Sequence, residues 1–290
     1  MSDHKTCINC ESDNLKILKR YFQSHLVKCK NCSLVFAKKN PTPKELEEHY
    51  SNYGRNDYLS PITIKRYNEL LDNFEKYRKT NNLLDIGCGI GYFLEEAKKR
   101  GWNVYGTEFT DDAINICRNK GISLEKGKLD PKHYNIEFDI ITSFEVIEHI
   151  NNPVEEVNNI AKILRKGGLF YITTPNFNAI NRFYLKEKWS VIVYPEHLTY
   201  YTKSTLKQLV VNQGFENISN KTTGISITRI KTSKEKVNKD TKFIAYNTED
   251  EGLRNKIEKR RSLQILKKIT NWLLSLLGIG DNIKQYNVKV

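Results

Sequence analysis

Short apolar segments alternate with segments of helical periodicity through the middle of the chain, residues 81–232. The apolar segments predict strands, and side chains that repeat every three or four residues predict amphipathic helices. The predicted strands cover residues 83–86, 102–108, 122–125, 138–144 and 169–174. The predicted helices cover residues 92–100, 111–121, 153–165 and 205–213. This alternation predicts an α/β fold with a mostly parallel sheet and helices on both faces.

Three further regions flank this core, and we expect a small cysteine-rich domain over residues 1–40. Residues 41–80 predict a brace or lid, made of a short helix capped by Thr42 and an amphipathic helix from Ile62 to about Arg78. Residues 233–290 predict a basic linker, an amphipathic helix over 260–278 and an alternating segment. We expect that segment to return as the last, antiparallel strand, with the helix inserted before it.

Composition narrows the class of protein. The 290 residues are 39% hydrophobic and carry a net charge of +13, typical of a folded protein that can attract an anionic partner. The first residues lack the apolar region of a secretion signal, and no segment reaches the roughly 18 consecutive apolar residues of a membrane span. We therefore expect a cytoplasmic protein. A peripheral position at the inner face of the membrane is a second possibility for its location.

Four of the six cysteines form two CxxC pairs, Cys7 with Cys10 and Cys29 with Cys32. Two residues between thiolates let a tight turn direct both sulfurs at one ion, and two such pairs supply four tetrahedral ligands. The spacing predicts a zinc ribbon with a structural Zn²⁺ and no open coordination position. The alternative is four thiols without a metal.

Three glycines follow the first core strand at alternate positions, Gly87, Gly89 and Gly91. Glycine lets a backbone turn sharply and approach a ligand, and the following helix begins with unpaired N–H groups. Glu108 ends the next predicted strand, where a carboxylate can bind ribose hydroxyls. A loop for the pyrophosphate of NAD would place its last glycine one residue later, so this spacing disfavours NAD.

These segments resemble, in order, the motifs of class I S-adenosylmethionine-dependent methyltransferases: residues 85–91, Glu108, residues 138–149 and residues 164–176. The resemblance covers about residues 80–230 and implies a doubly wound, Rossmann-like sheet of seven strands. It also implies a cofactor site for S-adenosyl-L-methionine built from Asp85, Gly87, Gly89, Gly91, Glu108, Phe109, Leu129, Asp130, Phe144 and Glu145. Many members carry an acid two residues before Asp130, where this chain has Lys128.

By that resemblance, Asp85 and the glycine loop hold the methionine part and Glu108 holds the ribose. Leu129 or Asp130 would contact the adenine, and Phe144 with Glu145 would lie nearest the sulfonium.

The methyl acceptor is expected beyond the carboxyl ends of the fourth and fifth core strands, because ligands of open α/β sheets bind there. His197 is a candidate base, with Glu196 to orient it and Tyr194 to place the acceptor. The segment is similar to bacterial sugar C-methyltransferases, which combine an N-terminal zinc-binding region with a Tyr-x-Glu-His motif. Those enzymes are longer, and their cysteine pairs lie further apart. His149 is a second candidate, although either histidine could instead fix a loop.

The predicted function is methyl transfer to a sugar or glycoconjugate intermediate of surface-polysaccharide biosynthesis. Its alternatives are a quinone-type small-molecule O-methyltransferase, an RNA methyltransferase, and a zinc-dependent binding module on an inactive scaffold. Nucleic acid is less favoured because basic residues are mixed with acids instead of forming a basic stripe. For the helix over 260–278, the alternatives are packing on its own domain or a partner subunit, and contact with an anionic membrane. The sequence predicts no oligomeric state.

Overall fold

The computed structural model describes residues 3–42, 44–45, 59–226, 230, 252 and 256–290. The predicted linker over 231–253 therefore lies almost wholly outside the described residues, as does most of the short helix after Thr42. Among the described helices, none has the length and apolar character to cross a membrane.

The main sheet has seven strands, as the resemblance implied. In spatial order they are β10 (Phe215–Thr223), β11 (Asn282–Lys289), β8 (Leu164–Pro175), β7 (Phe138–Phe144), β4 (Asn82–Ile86), β5 (Asn103–Glu108) and β6 (Ser123–Lys126). Strands β4 to β8 are parallel, and β11 is antiparallel to both of its neighbours. The expected return of the chain as a last antiparallel strand is thus confirmed.

Seven helices accompany the strands within the described residues. They are α1 (Pro61–Phe74), α2 (Tyr92–Lys99), α3 (Asp111–Asn119), α4 (Pro153–Ile163), α5 (Ile180–Leu185), α6 (Lys203–Val211) and α7 (Arg261–Leu277). Short 3-10 turns cover Lys19–Ser24, Glu75–Tyr77, Pro131–His133, Ile147–His149 and Lys186–Lys188.

Successive strand residues point to opposite faces of the sheet, and this separates two cores. Leu83 packs with α1 and α2, through Phe74 and Phe93 among others. Leu84 packs on the other face with α4 and α6, through residues that include Val157 and Leu206. The helices therefore cover both faces and leave the carboxyl edge of the parallel strands for a ligand.

A second sheet pairs the N-terminal strands with a segment from the far end of the core. Its order is β1 (Leu15–Ile17), β2 (Leu26–Cys29), β3 (Val35–Ala37) and β9 (Thr199–Tyr200). Strand β9 runs antiparallel to β3, with Val35 opposite Tyr200, and the Ala37 N–H donates a 2.8 Å hydrogen bond to the Leu198 carbonyl. The cysteine-rich region is therefore joined to the segment after β8.

Candidate active site

The glycine loop joins β4 to α2, and each of its three glycines has a positive φ. A Cβ on Gly87 would lie 2.7 Å from Val146 Cγ2, and one on Gly91 would lie 2.6 Å from Ile122 Cδ1. A Cβ on Gly89 would meet no atom within 4 Å. Packing therefore requires glycine at Gly87 and Gly91, whereas Gly89 borders open space.

Glu108 fixes the loop from the end of β5. One carboxylate oxygen accepts a 3.0 Å hydrogen bond from the Gly89 N–H, and the other accepts from the N–H groups of Phe109 and Thr110 at 2.8 and 3.0 Å. The carboxylate predicted to bind ribose is thus oriented beside the loop. Phe109 itself is exposed.

Asp85 is a buried carboxyl at the start of the loop. It accepts a 2.7 Å hydrogen bond from Thr142 Oγ1, on the neighbouring strand β7. Burial raises the pKa of Asp85 to about 7, the Thr142 hydrogen bond opposes that rise, and the charge of Glu108 adds to it. The group is therefore poised to change its charge near neutral pH.

The two residues predicted to contact adenine lie at a turn after β6. Leu129 is buried in the core shared with α4 and α6. Asp130 caps the following 3-10 turn, where its Oδ1 accepts a 3.0 Å hydrogen bond from the Lys132 N–H. One carboxylate oxygen of Asp130 therefore accepts a hydrogen bond from within this turn.

Phe144 ends β7 at the carboxyl edge, and Glu145, the next residue, has a left-handed φ of 55°. The Phe144 ring centroid lies 5.0 Å from that of Phe93 and 6.3 Å from that of Tyr67. Burial, followed by the charges of Asp85 and Tyr92, raises the pKa of Tyr67 to about 12, so this tyrosine lies near the cofactor end. In the sequence, Tyr67 only occupies an apolar position in the helical periodicity of α1, and no signal there marks it as a site residue.

Two histidines from distant parts of the chain meet beyond β7. The rings of His149 and His197 are 4.8 Å apart in an edge-to-face arrangement. Each Nδ1 lies 2.8 Å from a carbonyl oxygen, that of Glu196 for His149 and that of Val191 for His197. A carbonyl only accepts, so both Nδ1 atoms carry hydrogen, and Nε2 is the nitrogen able to take a proton.

Glu148 completes this cluster. Its carboxylate is buried and accepts a 2.9 Å hydrogen bond from Thr174 Oγ1 at the end of β8. One ligand atom each from Glu148, His149 and His197 lie within 4.8 Å of one another, a spacing that also suits a metal ion. The cluster can therefore accept a proton or bind a cation.

Glu196 and Tyr194 were expected to orient His197 and to place the acceptor, and the structure gives them other contacts. The Glu196 carboxylate lies 4.0 Å from His197 Nε2, so the Val191 carbonyl orients the imidazole by hydrogen bonding and the carboxylate acts only through its charge. Tyr194, joined to Pro195 by a cis peptide bond, packs edge-to-face on His25 with ring centroids 4.9 Å apart. It therefore contacts the cysteine-rich region.

The four predicted zinc ligands form a single cluster. Cys7 and Cys32 have their sulfurs 3.5 Å apart, and Cys10 and Cys29 have theirs 3.6 Å apart. Sulfurs bound to one tetrahedral Zn²⁺ lie about 3.8 Å apart, given the usual Zn–S distance. The four thiols and their spacing fit Zn²⁺, and cysteine sulfurs would fill all four coordination positions of the ion.

A model of the methyltransferase domain family matches residues 59–220. The chain belongs to the methyltransferase domain family. This methyltransferase is 26% identical over 158 residues to a ubiquinone biosynthesis O-methyltransferase of Hydrogenovibrio crunogenus, an alignment that covers 48% of this chain and 64% of the relative. It is 30% identical over 128 residues to one of Coxiella burnetii, covering 41% and 52%. The chain thus spans between half and two thirds of these relatives.

Solved structures share the fold of this methyltransferase. Phosphoethanolamine N-methyltransferase 2 of Haemonchus contortus, in complex with S-adenosyl-L-methionine, has a TM-score of 0.56 at 18% identity, covering 88% of this chain and 61% of that one. A SAM-dependent methyltransferase of Archaeoglobus fulgidus has a TM-score of 0.52 at 18% identity, covering 84% and 98%. These likenesses show that the chain shares the fold of S-adenosylmethionine-dependent methyltransferases. The open space at Gly89 and the oriented carboxylate of Glu108 fit that cofactor.

Proposed function

We propose that this methyltransferase transfers a methyl group to a hydroxyl oxygen of a small-molecule acceptor, with His197 as the proton acceptor. The observation that carries the proposal is the hydrogen bond from His197 Nδ1 to the Val191 carbonyl, which leaves Nε2 as the basic nitrogen. His197 lies with Glu148 and His149 just beyond β7, the strand that ends at Phe144.

The reaction follows from these positions. S-adenosyl-L-methionine, when bound, supplies the electrophilic methyl group. Nε2 of His197 would take the hydroxyl proton of the acceptor as the acceptor oxygen bonds to the methyl carbon. The sulfur–methyl bond would break at the same time, so that S-adenosyl-L-homocysteine leaves, and the imidazolium would return its proton to water after product release. Glu148 and Glu196 stabilise the imidazolium through their negative charges.

Oxygen methylation is supported by the relatives, which are named as O-methyltransferases of ubiquinone biosynthesis. They favour the small-molecule alternative over the glycoconjugate acceptor that the sequence first suggested. A sugar or glycoconjugate acceptor stays a second candidate because of the N-terminal cysteine cluster and the Tyr-x-Glu-His segment. RNA has no specific observation in its favour.

We also propose that the four cysteines bind one structural Zn²⁺. The cluster spacing supports it, and β3, within the same small sheet, pairs with β9, only two residues after His197. Zinc would then stabilise the segment that carries the base, without contacting the acceptor.

The deciding experiment compares acceptors at equal concentration with isotope-labelled S-adenosyl-L-methionine. Catechols and phenols are expected to gain one methyl group on oxygen, detected by mass and by the loss of one phenolic hydroxyl. Nucleotide sugars are expected to stay unmodified. Methylation of a sugar with no turnover of phenols would overturn the choice of acceptor while leaving the methyltransferase activity intact.

A further inference from the structure

Helix α7 lies between β10 and β11 with its polar side turned toward the protein. Asn271 Oδ1 accepts a 2.9 Å hydrogen bond from the Gly224 N–H, and the Ser275 carbonyl accepts one of 2.9 Å from Lys203 Nζ. Lys267 forms an ion pair of 3.5 Å with Glu258. These contacts hold the helix by its polar residues.

The apolar side of α7 points the other way. Its exposed large side chains are Ile265, Leu266, Ile269, Trp272, Leu273, Leu276 and Leu277. At 100° per residue they fall within an arc of about 140°. Trp272 is 63% exposed and Leu276 is 68% exposed, whereas Leu274, on the inner side, is 6% exposed. The orientation is the reverse of the usual one, in which the apolar stripe faces the core.

A continuous apolar face of this kind marks an interaction surface, since exposed apolar area is unfavourable in water. Packing on its own domain was one alternative that the sequence left open for this helix. The exposures of the seven side chains exclude that alternative for the outer face as the described residues present it. The face therefore needs a partner of another kind.

The charges of α7 select the partner. The helix contains no acidic residue and carries Arg261 and Lys268 at exposed positions, and the exposed Lys259 and Arg260 precede it. Two copies of this face in contact would bring like charges together, whereas an anionic lipid surface would pair with them. Trp272 suits the same partner because its ring prefers the boundary between headgroups and acyl chains.

We propose that α7 lies flat on an anionic lipid bilayer, with its outer face at the boundary between headgroups and acyl chains. None of the described residues needs to move for this, because among them the apolar side of α7 already faces outward. The proposal goes beyond the proposed function and does not depend on it. Docking would bring the end of β8 near the membrane, since α7 leads into β11, where Asn282 pairs with Pro175.

Tryptophan fluorescence gives a direct test on the full chain. Trp102 and Trp189 are 3% and 1% exposed, so a change in emission on lipid binding reports Trp272. Vesicles of phosphatidylcholine with about one third phosphatidylglycerol are expected to shift the emission to the blue and protect it from iodide, less so as salt rises. Pure phosphatidylcholine is expected to give a much smaller shift.

Two variants test whether vesicle binding depends on the apolar face of α7 or on exposed apolar residues in general. Leu266→Gln with Leu276→Gln is expected to weaken vesicle partitioning at least about tenfold, because two apolar side chains leave the buried face. Ile218→Gln removes one exposed apolar side chain from β10 and is expected to leave partitioning unchanged. All three substitutions lie at exposed positions, and circular dichroism is expected to show a native fold.

Three results would overturn the proposal. One is unchanged vesicle binding in the double variant. Another is resistance of Trp272 to iodide without lipid, which would mean that the chain itself covers the face. The third is a concentration-dependent dimer in sedimentation that the double variant abolishes. Turnover of a water-soluble acceptor, measured in the same variants, tests the proposed function separately and is expected to stay at the wild-type rate.

Discussion

Thr142 donates a 2.7 Å hydrogen bond to Asp85 across the two central strands β7 and β4. The carboxyl is buried, and its pKa is raised to about 7 from an ordinary value of 3.8. Threonine favours the ionised form, while burial favours the neutral one. The charge expected to hold the ammonium group of the methionine part is therefore set by these two opposing effects.

Binding of S-adenosyl-L-methionine is expected to weaken as the pH falls below about 7, by up to about tenfold per pH unit, because Asp85 loses its charge. Calorimetric titration between pH 6 and 8 measures this. Thr142→Val removes the hydrogen bond that favours ionisation, and it should move the midpoint to higher pH. Affinity independent of pH in both proteins would contradict this role of Asp85.

Asp85→Asn is expected to abolish cofactor binding and yet raise the melting temperature at pH 8. The folded pKa lies above the unfolded one, so the folded state holds more protons between them and stability falls as pH rises from about 4 through 7. The Asp85→Asn variant has no ionisable carboxyl at this position, so it does not lose this stability as the pH rises. Calorimetry at pH 5 and 8 should show a gain that is larger at pH 8, and an equal or reversed difference would refute it.

Gly89→Ala is expected to lose most cofactor affinity at a stability cost of about 1–2 kcal/mol, because a Cβ at its positive φ is strained and would project into the open space of the loop. Gly214→Ala is a matched control, also with positive φ and with no atom within 4 Å, and lies between α6 and β10. It should lose similar stability and keep its cofactor affinity. Equal loss of affinity in both would contradict the assignment.

His197→Ala is expected to lower kcat by about 10²–10⁴-fold while the cofactor dissociation constant stays the same, the usual contribution of a general base. A rate that no longer depends on pH in the range where imidazole titrates would accompany the loss. His133→Ala is the control, since that exposed histidine pairs with Glu125. Full turnover in the His197 variant would show that the residue only fixes its loop.

Cys29→Ser is expected to lose one equivalent of bound zinc, measured by mass spectrometry of the metal content, and to lower turnover more than cofactor affinity. The physical reason is the pairing of β3 with β9, because release of the ion would unfold the small sheet beside His197. Cys117 lies outside the four-cysteine cluster, so the Cys117→Ser variant should keep its bound zinc. A zinc-free wild-type protein that is fully active would contradict the proposal.

The sheet and the cofactor loop could be predicted because their signals are local. The periodicity of each predicted strand lies within that strand, and the glycines and Glu108 all lie between residues 87 and 108. The contact between His149 and the segment of His197 joins residues 47 apart, and no pattern in the sequence encodes it. Proximity in sequence also misled, since Glu196 was expected to orient His197 and the Val191 carbonyl does so instead.

The aromatic residues after β8 show a second limit. Many aromatic side chains near a predicted acceptor site are typical of a pocket wall. In the structure, however, Phe177, Trp189 and Tyr200 are buried in a core shared with Tyr21 and Leu26 of the cysteine-rich region. Composition predicts that such side chains are covered but not by which surface. The covering surface here belongs to another part of the chain.

Strand β9 is two residues long and has its partner in the cysteine-rich sheet. So short a strand is not stable alone, so the cysteine-rich region at the start of the chain would also shape the proposed acceptor site. Exchange of that region between related enzymes would alter the choice of acceptor without a change in the residues that hold the methyl donor.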